Sequence, residues 1–92
     1  IYGCLSEQEI YRNDSILCLS YYCNKGIKSR YYKVNNLIVG ESYSYYSNGK
    51  IKCILPWKNG KLDGQSKHYN ELGYLNNVST CKDGYITGEA IY

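Results

Sequence analysis

From residue 41 onward, apolar and polar side chains alternate with a period of two. In Glu41-Ser42-Tyr43-Ser44-Tyr45-Tyr46-Ser47 the tyrosines begin on alternate positions, as in a half-buried strand. Asn48-Gly49 follows, the dipeptide best suited to a tight hairpin whose two central residues both need φ > 0. Lys50 to Trp57 reads as the return strand. It puts Ile51, Cys53, Leu55 and Trp57 on one face and Lys52, Ile54, Pro56 and Lys58 on the other. Asn59-Gly60 predicts another turn, and Gly64 opens the next strand. Pro56 lacks an N–H, so an edge or a bulge is expected there. The three-and-four apolar spacing of an amphipathic helix is absent.

The pattern repeats. Displacing the sequence by 24 residues superimposes Gly40 on Gly64 and Gly88, Gly49 on Gly73, and Gly60 on Gly84. Tyr45 falls on Tyr69, Ile51 on Leu75, Lys58 on Lys82, and Leu62 on Ile86. Upstream, Tyr21, Tyr22, Asn24 and Ile27 precede Tyr45, Tyr46, Asn48 and Ile51 by the same interval. The segment from Tyr32 to Gly40 resembles Trp57 to Gly64 if one residue is taken as inserted, and Tyr11 to Ile16 is a worn copy.

The predicted fold is therefore all-β: an elongated antiparallel meander of β-hairpins, about 22–24 residues per repeat, forming a single domain over residues 1–92. Residues 1–19 form a degenerate or capping repeat, 20–39 a degenerate repeat, 40–63 and 64–87 clear repeats, and 88–92 the start of another. Stacking would align Ile27, Ile51 and Leu75 in one column and Ile38, Leu62 and Ile86 in another. Tyr21, Tyr45 and Tyr69 would make a third, and Tyr32, Trp57 and Cys81 a fourth. Gly40, Gly49, Gly60, Gly64, Gly73, Gly84 and Gly88 are the expected structural turn glycines.

Composition changes the picture in one respect. Thirteen Tyr and one Trp stand beside no Phe and no Met, which suits a thin structure whose aromatic side chains are half buried and half wet. The net charge of +3 is too mild to mark a dedicated nucleic-acid binder. Five cysteines, an odd number, include no C-x-x-C pair, so free thiols in the cytoplasm or another reducing compartment are expected, with secretion left open.

Trp57-Lys58-Asn59-Gly60-Lys61-Leu62-Asp63-Gly64, echoed by Cys81-Lys82-Asp83-Gly84-Tyr85-Ile86-Thr87-Gly88, resembles the Trp/Tyr-x-x-Gly-x-x-x-Gly heart of MORN repeats. Tyr45-Tyr46-Ser47-Asn48-Gly49-Lys50-Ile51 is similar to the opening of the variant MORN repeat of bacterial antitoxin-like proteins and giant-virus arrays. The richness in Asn, Lys, Ile and Tyr is closer to the viral arrays. The resemblance implies scaffolding, self-association, or attachment of other domains to partner proteins or membranes.

No catalytic, cofactor-binding or metal-binding set is expected. His68 is the sole histidine and reads as a strand residue facing solvent. A Ser66, His68 and Asp63 or Asp83 triad has no nucleophile-elbow motif to support it. Tyr43, Tyr46, Lys52, Lys58, Lys82, Ile91 and Tyr92 form the candidate interaction surface. Lys28 with Lys52, and Lys33 with Lys58 and Lys82, would make two lysine columns. These either protect sheet edges or form a strip for anionic lipid headgroups. The expected function is a non-enzymatic protein-interaction or scaffolding module. A membrane-surface adaptor and an antitoxin-like partner of an enzyme are the alternatives, and a nucleic-acid partner is not expected. The C-terminal strand, short and nearly uncharged, is expected to be covered by further repeats, a partner strand or a second copy.

Overall fold

The computed structural model describes residues 6–23 and 26–91. Nine strands follow in chain order: β1 (Ser6–Arg12), β2 (Ser15–Tyr21), β3 (Ile27–Val34), β4 (Leu37–Tyr45), β5 (Ile51–Lys58), β6 (Lys61–Leu62), β7 (Gly64–Tyr69), β8 (Leu75–Lys82) and β9 (Tyr85–Ile91). All pairing is antiparallel in one open sheet of order β1-β2-β3-β4-β5-β7-β8-β9, in which β6 and β7 both lie against β5 and not against each other. No helix occurs among the described residues. The all-β hairpin meander read from the alternation is the observed fold.

The sequence period is also the period of the hydrogen-bonded ladder. Ser20 faces Ser29, Ser44 faces Cys53, and His68 faces Asn77. One step on, each pair of strands slips by a residue, so that Tyr21 meets Ile27, Tyr45 meets Ile51, and Tyr69 meets Leu75. Lys28, Lys52 and Asn76 are the extra residues of these bulges.

A second irregularity recurs nearer the opposite strand ends. Arg30 faces Tyr43, but the next pair is Tyr32 with Val39. Likewise Ile54 faces Lys67, and pairing resumes at Trp57 with Leu62. Gly40 and Gly64 take φ of 73° and 122° in these breaks. Pro56 sits in the second break, where its missing N–H costs no ladder bond, while its carbonyl accepts from the Asp63 N–H at 3.1 Å. It is a bulge residue inside the sheet, because β5 is flanked on both sides. In the last copy the slip shrinks to one residue, and Gly88 pairs with Thr80. Gly88 is thus a strand residue without positive φ, not a turn glycine.

Two kinds of turn recur between strands from β3 onward. Asn35-Asn36, Asn59-Gly60 and Asp83-Gly84 have positive φ at both central positions, the left-handed pair that a two-residue hairpin requires. Asn48-Gly49 departs from the tight turn expected of it: Gly49 has φ 89°, but Asn48 is not left-handed. The Gly49 N–H donates to the Tyr46 carbonyl at 2.9 Å, and the Lys50 N–H donates to Asn48 Oδ1 at 2.9 Å. The asparagine side chain thus takes a backbone donor itself and leaves only the glycine to reverse the chain. In Asn70 to Gly73 the Gly73 N–H likewise donates to the Asn70 carbonyl at 2.9 Å, but the side-chain acceptor moves to the first turn residue, with Asn70 Oδ1 accepting from the Leu72 and Tyr74 N–H groups, each at 3.0 Å.

The molecule measures 39 × 35 × 19 Å. A single layer buries little, and among the described residues the buried side chains are small: Cys18, Cys81, Ser66 and Ser79. Register gives the sheet two distinct faces. Ser20, Ser29, Ser44, Cys53, His68 and Asn77 form one row across six strands. Leu19, Arg30, Tyr43, Ile54, Lys67 and Val78 form the adjacent row on the opposite face.

Candidate interaction surface

Bonds between successive repeats explain where several candidate residues point. The Tyr22 hydroxyl donates to the Tyr45 carbonyl at 2.5 Å, and Tyr46, 24 residues on, donates to the Tyr69 carbonyl at 2.7 Å. Asn48 Nδ2 adds a bond to the Glu71 carbonyl at 3.0 Å. Lys28 and Lys52 lie over the Tyr22 and Tyr46 rings, each 5.9 Å from the centroid. Tyr46 is therefore half buried and committed to holding one hairpin against the next. At the other end of the strands the turn glycines serve the same purpose. The Gly60 N–H donates to the Ile38 carbonyl at 2.9 Å, and the Gly84 N–H to the Leu62 carbonyl at 2.8 Å.

Tyr43 lies on the face of the sheet opposite the serine row. Its ring takes the Arg30 guanidinium at 4.7 Å, and its hydroxyl donates to Glu41 Oε1 at 3.0 Å. That hydrogen bond, with some burial and the charge of Glu41, holds the phenol above its ordinary pKa against the opposing pull of Arg30.

The lysines do not form one strip. Lys52 is the second residue of β5 and Lys58 its last, roughly 20 Å apart at the strand rise per residue. Lys58 and Lys82 are exposed beside their turns, facing Lys61 and Tyr85. Lys33 belongs elsewhere. It faces Ile38 as Trp57 faces Leu62 and Cys81 faces Ile86, so the fourth column is Lys33, Trp57 and Cys81 with no inserted residue. Tyr32 drops out of it, and Val34 takes the position of Lys58 and Lys82.

The last strand is different in kind. Every residue of β9 is exposed, with Tyr85 at 75%, Ile86 at 64% and Ile91 at 78%. Ile38 and Leu62, equivalent to Ile86, are half buried, because the turn of the following repeat bonds to each of their carbonyls. No described residue covers Ile86 in that way. Ile91 faces Asn77 at the open edge, and Tyr92 lies outside the described residues.

The polar groups weighed for catalysis do not assemble into a triad. Ser66 is 3% exposed, and its hydroxyl donates to the Ser79 carbonyl at 3.3 Å. His68 is half buried between Cys53 and Asn77, not solvent-facing. Among the described residues no group of three or more His, Cys, Asp or Glu could hold a metal ion. The cysteines depart from the all-thiol expectation. Cys23 is disulfide-bonded, while Cys18 and Cys81 are buried thiols and Cys53 is a partly exposed one.

Sequence reasoning missed the tyrosine ties, although Tyr22 and Tyr46 recur at the period. It also missed the Ser-Cys-His-Asn row, which emerges only once register is known. Against known proteins, no family model matches the chain, and no curated protein and no solved structure matches it.

Proposed function

We propose that the chain is a non-enzymatic assembly module of the MORN-repeat kind, which joins a second copy of itself through the β9 edge. The observation that carries this reading is the exposure of Ile86 and Ile91 along an edge strand whose repeat equivalents are covered by the next hairpin. Unpaired N–H and C=O groups beside apolar side chains make that edge a template for another strand. The edge carries a single charged side chain, Glu89, which offers little protection against pairing. An anionic membrane partner draws less support, because Lys52 lies at the opposite end of the sheet from Lys58 and Lys82.

Light scattering across a concentration series tests the proposal. The native chain is expected to gain mass with concentration, and an Ile86→Lys, Ile91→Lys variant to remain monomeric with an unchanged circular dichroism spectrum. A native chain that stays monomeric throughout, or a variant that associates equally well, refutes it. Retention of the native chain by anionic vesicles at physiological salt, lost on Lys52→Gln or Lys58→Gln, would instead favour the membrane reading.

A further inference from the structure

The row Ser20, Ser29, Ser44, Cys53, His68 and Asn77 places a thiol, an imidazole and a carboxamide on three successive strands of the sheet. Cys53 and His68 are directly opposed partners, and His68 and Asn77 are likewise opposed. Opposed residues hold their Cβ atoms about 4.5–5.5 Å apart, so rotation about the side-chain bonds brings the imidazole to the thiol. Beside them lies a shallow cleft of about 180 Å³, lined by Cys53, Ser29, Ser44, Tyr22 and the bulge residues Lys28 and Lys52. The structural ties between repeats use the tyrosine hydroxyls and turn glycines and do not involve Cys53 or His68. Cys18 and Cys81 are only 5% and 4% exposed, and Cys23 is already bonded.

We propose that Cys53 is a reactive thiol, with His68 as its proton acceptor, and that the cleft admits small disulfides bearing carboxylates. The imidazole takes the proton from Sγ, and the thiolate attacks one sulfur of the incoming disulfide. A Cys53–S–S–R bond forms as the R–S–S–R bond breaks, and the second half departs as its thiolate. The cysteine sulfur is oxidised and the departing sulfur reduced, so no further oxidant is needed. Lys28 and Lys52 select for negative charge on the reagent, and the serines leave room for it. The site does not depend on the assembly role of β9, which lies on the far side of β7 and β8.

The test measures reaction of the folded chain with 5,5′-dithiobis(2-nitrobenzoate), which carries two carboxylates, and with uncharged 4,4′-dithiodipyridine. One thiol should react in a fast phase that Cys53→Ser abolishes, while Cys18 and Cys81 react only on unfolding. His68→Asn should slow that phase with both reagents at neutral pH, by roughly tenfold, since the thiolate is the nucleophile. Lys28→Gln with Lys52→Gln should slow only the carboxylated reagent, and added salt should erase the difference. A fast phase that survives Cys53→Ser, or equal loss with both reagents in the lysine variant, overturns the proposal. So does a rate in the native chain no greater than that of His68→Asn.

Discussion

A Cβ built at position 60 would lie 3.0 Å from Leu37 Cδ2, on a backbone whose φ is +82°. At position 84 the φ is +89° but the space is open, and at 88 neither strain nor crowding exists beyond a 3.9 Å contact with Thr80. Three substitutions at glycines of similar sequence context should therefore differ in urea denaturation. Gly60→Val adds to backbone strain the displacement of the exposed Leu37 side chain and should cost on the order of 1–3 kcal/mol. Gly84→Val carries the strain alone, about 1–2 kcal/mol. Gly88→Ala should fall within about 0.5 kcal/mol of the native chain. Tyr31 supplies a pH test. Burial, reinforced by Cys18, Glu7 and Glu9, holds its hydroxyl above the ordinary value of 10.0. The folded state therefore keeps this proton more tightly than the unfolded state. The resulting stability is intact below pH 10 and is lost as pH rises through the folded value. Thermal melts between neutral and strongly alkaline pH should show a decline that Tyr31→Phe makes shallower, and an unchanged decline would exclude Tyr31 as a cause.

At the scale of elements, alternation and turn dipeptides placed the strands because each acts locally. Asn59-Gly60 and Asp83-Gly84 turn as their residue types predict, with both φ values positive. Asn48-Gly49 does not, since the asparagine side chain offered its own backbone partner and a four-residue turn resulted. The supposed insertion near Tyr32 was an artefact of residue type. Lys33 occupies the position of Trp57, and a charged side chain there hid an unbroken 24-residue period. The breaks opposite Gly40 and Gly64 depend on pairing between distant strands, so no local pattern announced them. Beyond the ladder of the sheet itself, a short list of bonds ties one hairpin to the next, and Tyr46 makes one of them. Removing its half-buried hydroxyl with Tyr46→Phe should cost about 1 kcal/mol by leaving the Tyr69 carbonyl without that donor. Tyr43→Phe loses only an exposed bond to Glu41 and should change stability by less than about 0.5 kcal/mol. Equal losses in chemical denaturation would show that the tie between repeats carries no stability.

At the scale of the molecule, the described residues form a plate one strand thick, whose buried positions hold cysteines and serines because none of those residues packs across either face to enclose larger groups. Thinness was legible in the absence of Phe and Met. The Cys23 disulfide was not, because spacing alone does not say which sulfurs meet. The constant register of the hairpins has a genetic corollary. Ser20 with Ser29, Ser44 with Cys53, and His68 with Asn77 are the same pair at intervals of 24 in each partner, so coding length and sheet width are quantised together. Excising residues 41–64 joins Gly40 to Gln65 and lets β7 inherit the place of β4, with every side chain still on its own face. That shortened gene should express a β-rich protein with a cooperative thermal transition. Excising one residue fewer shifts the parity of each following strand and turns its inner face outward, so its product should show no such transition. In such a gene, unequal recombination can lengthen or shorten the product by whole hairpin pairs without breaking the fold.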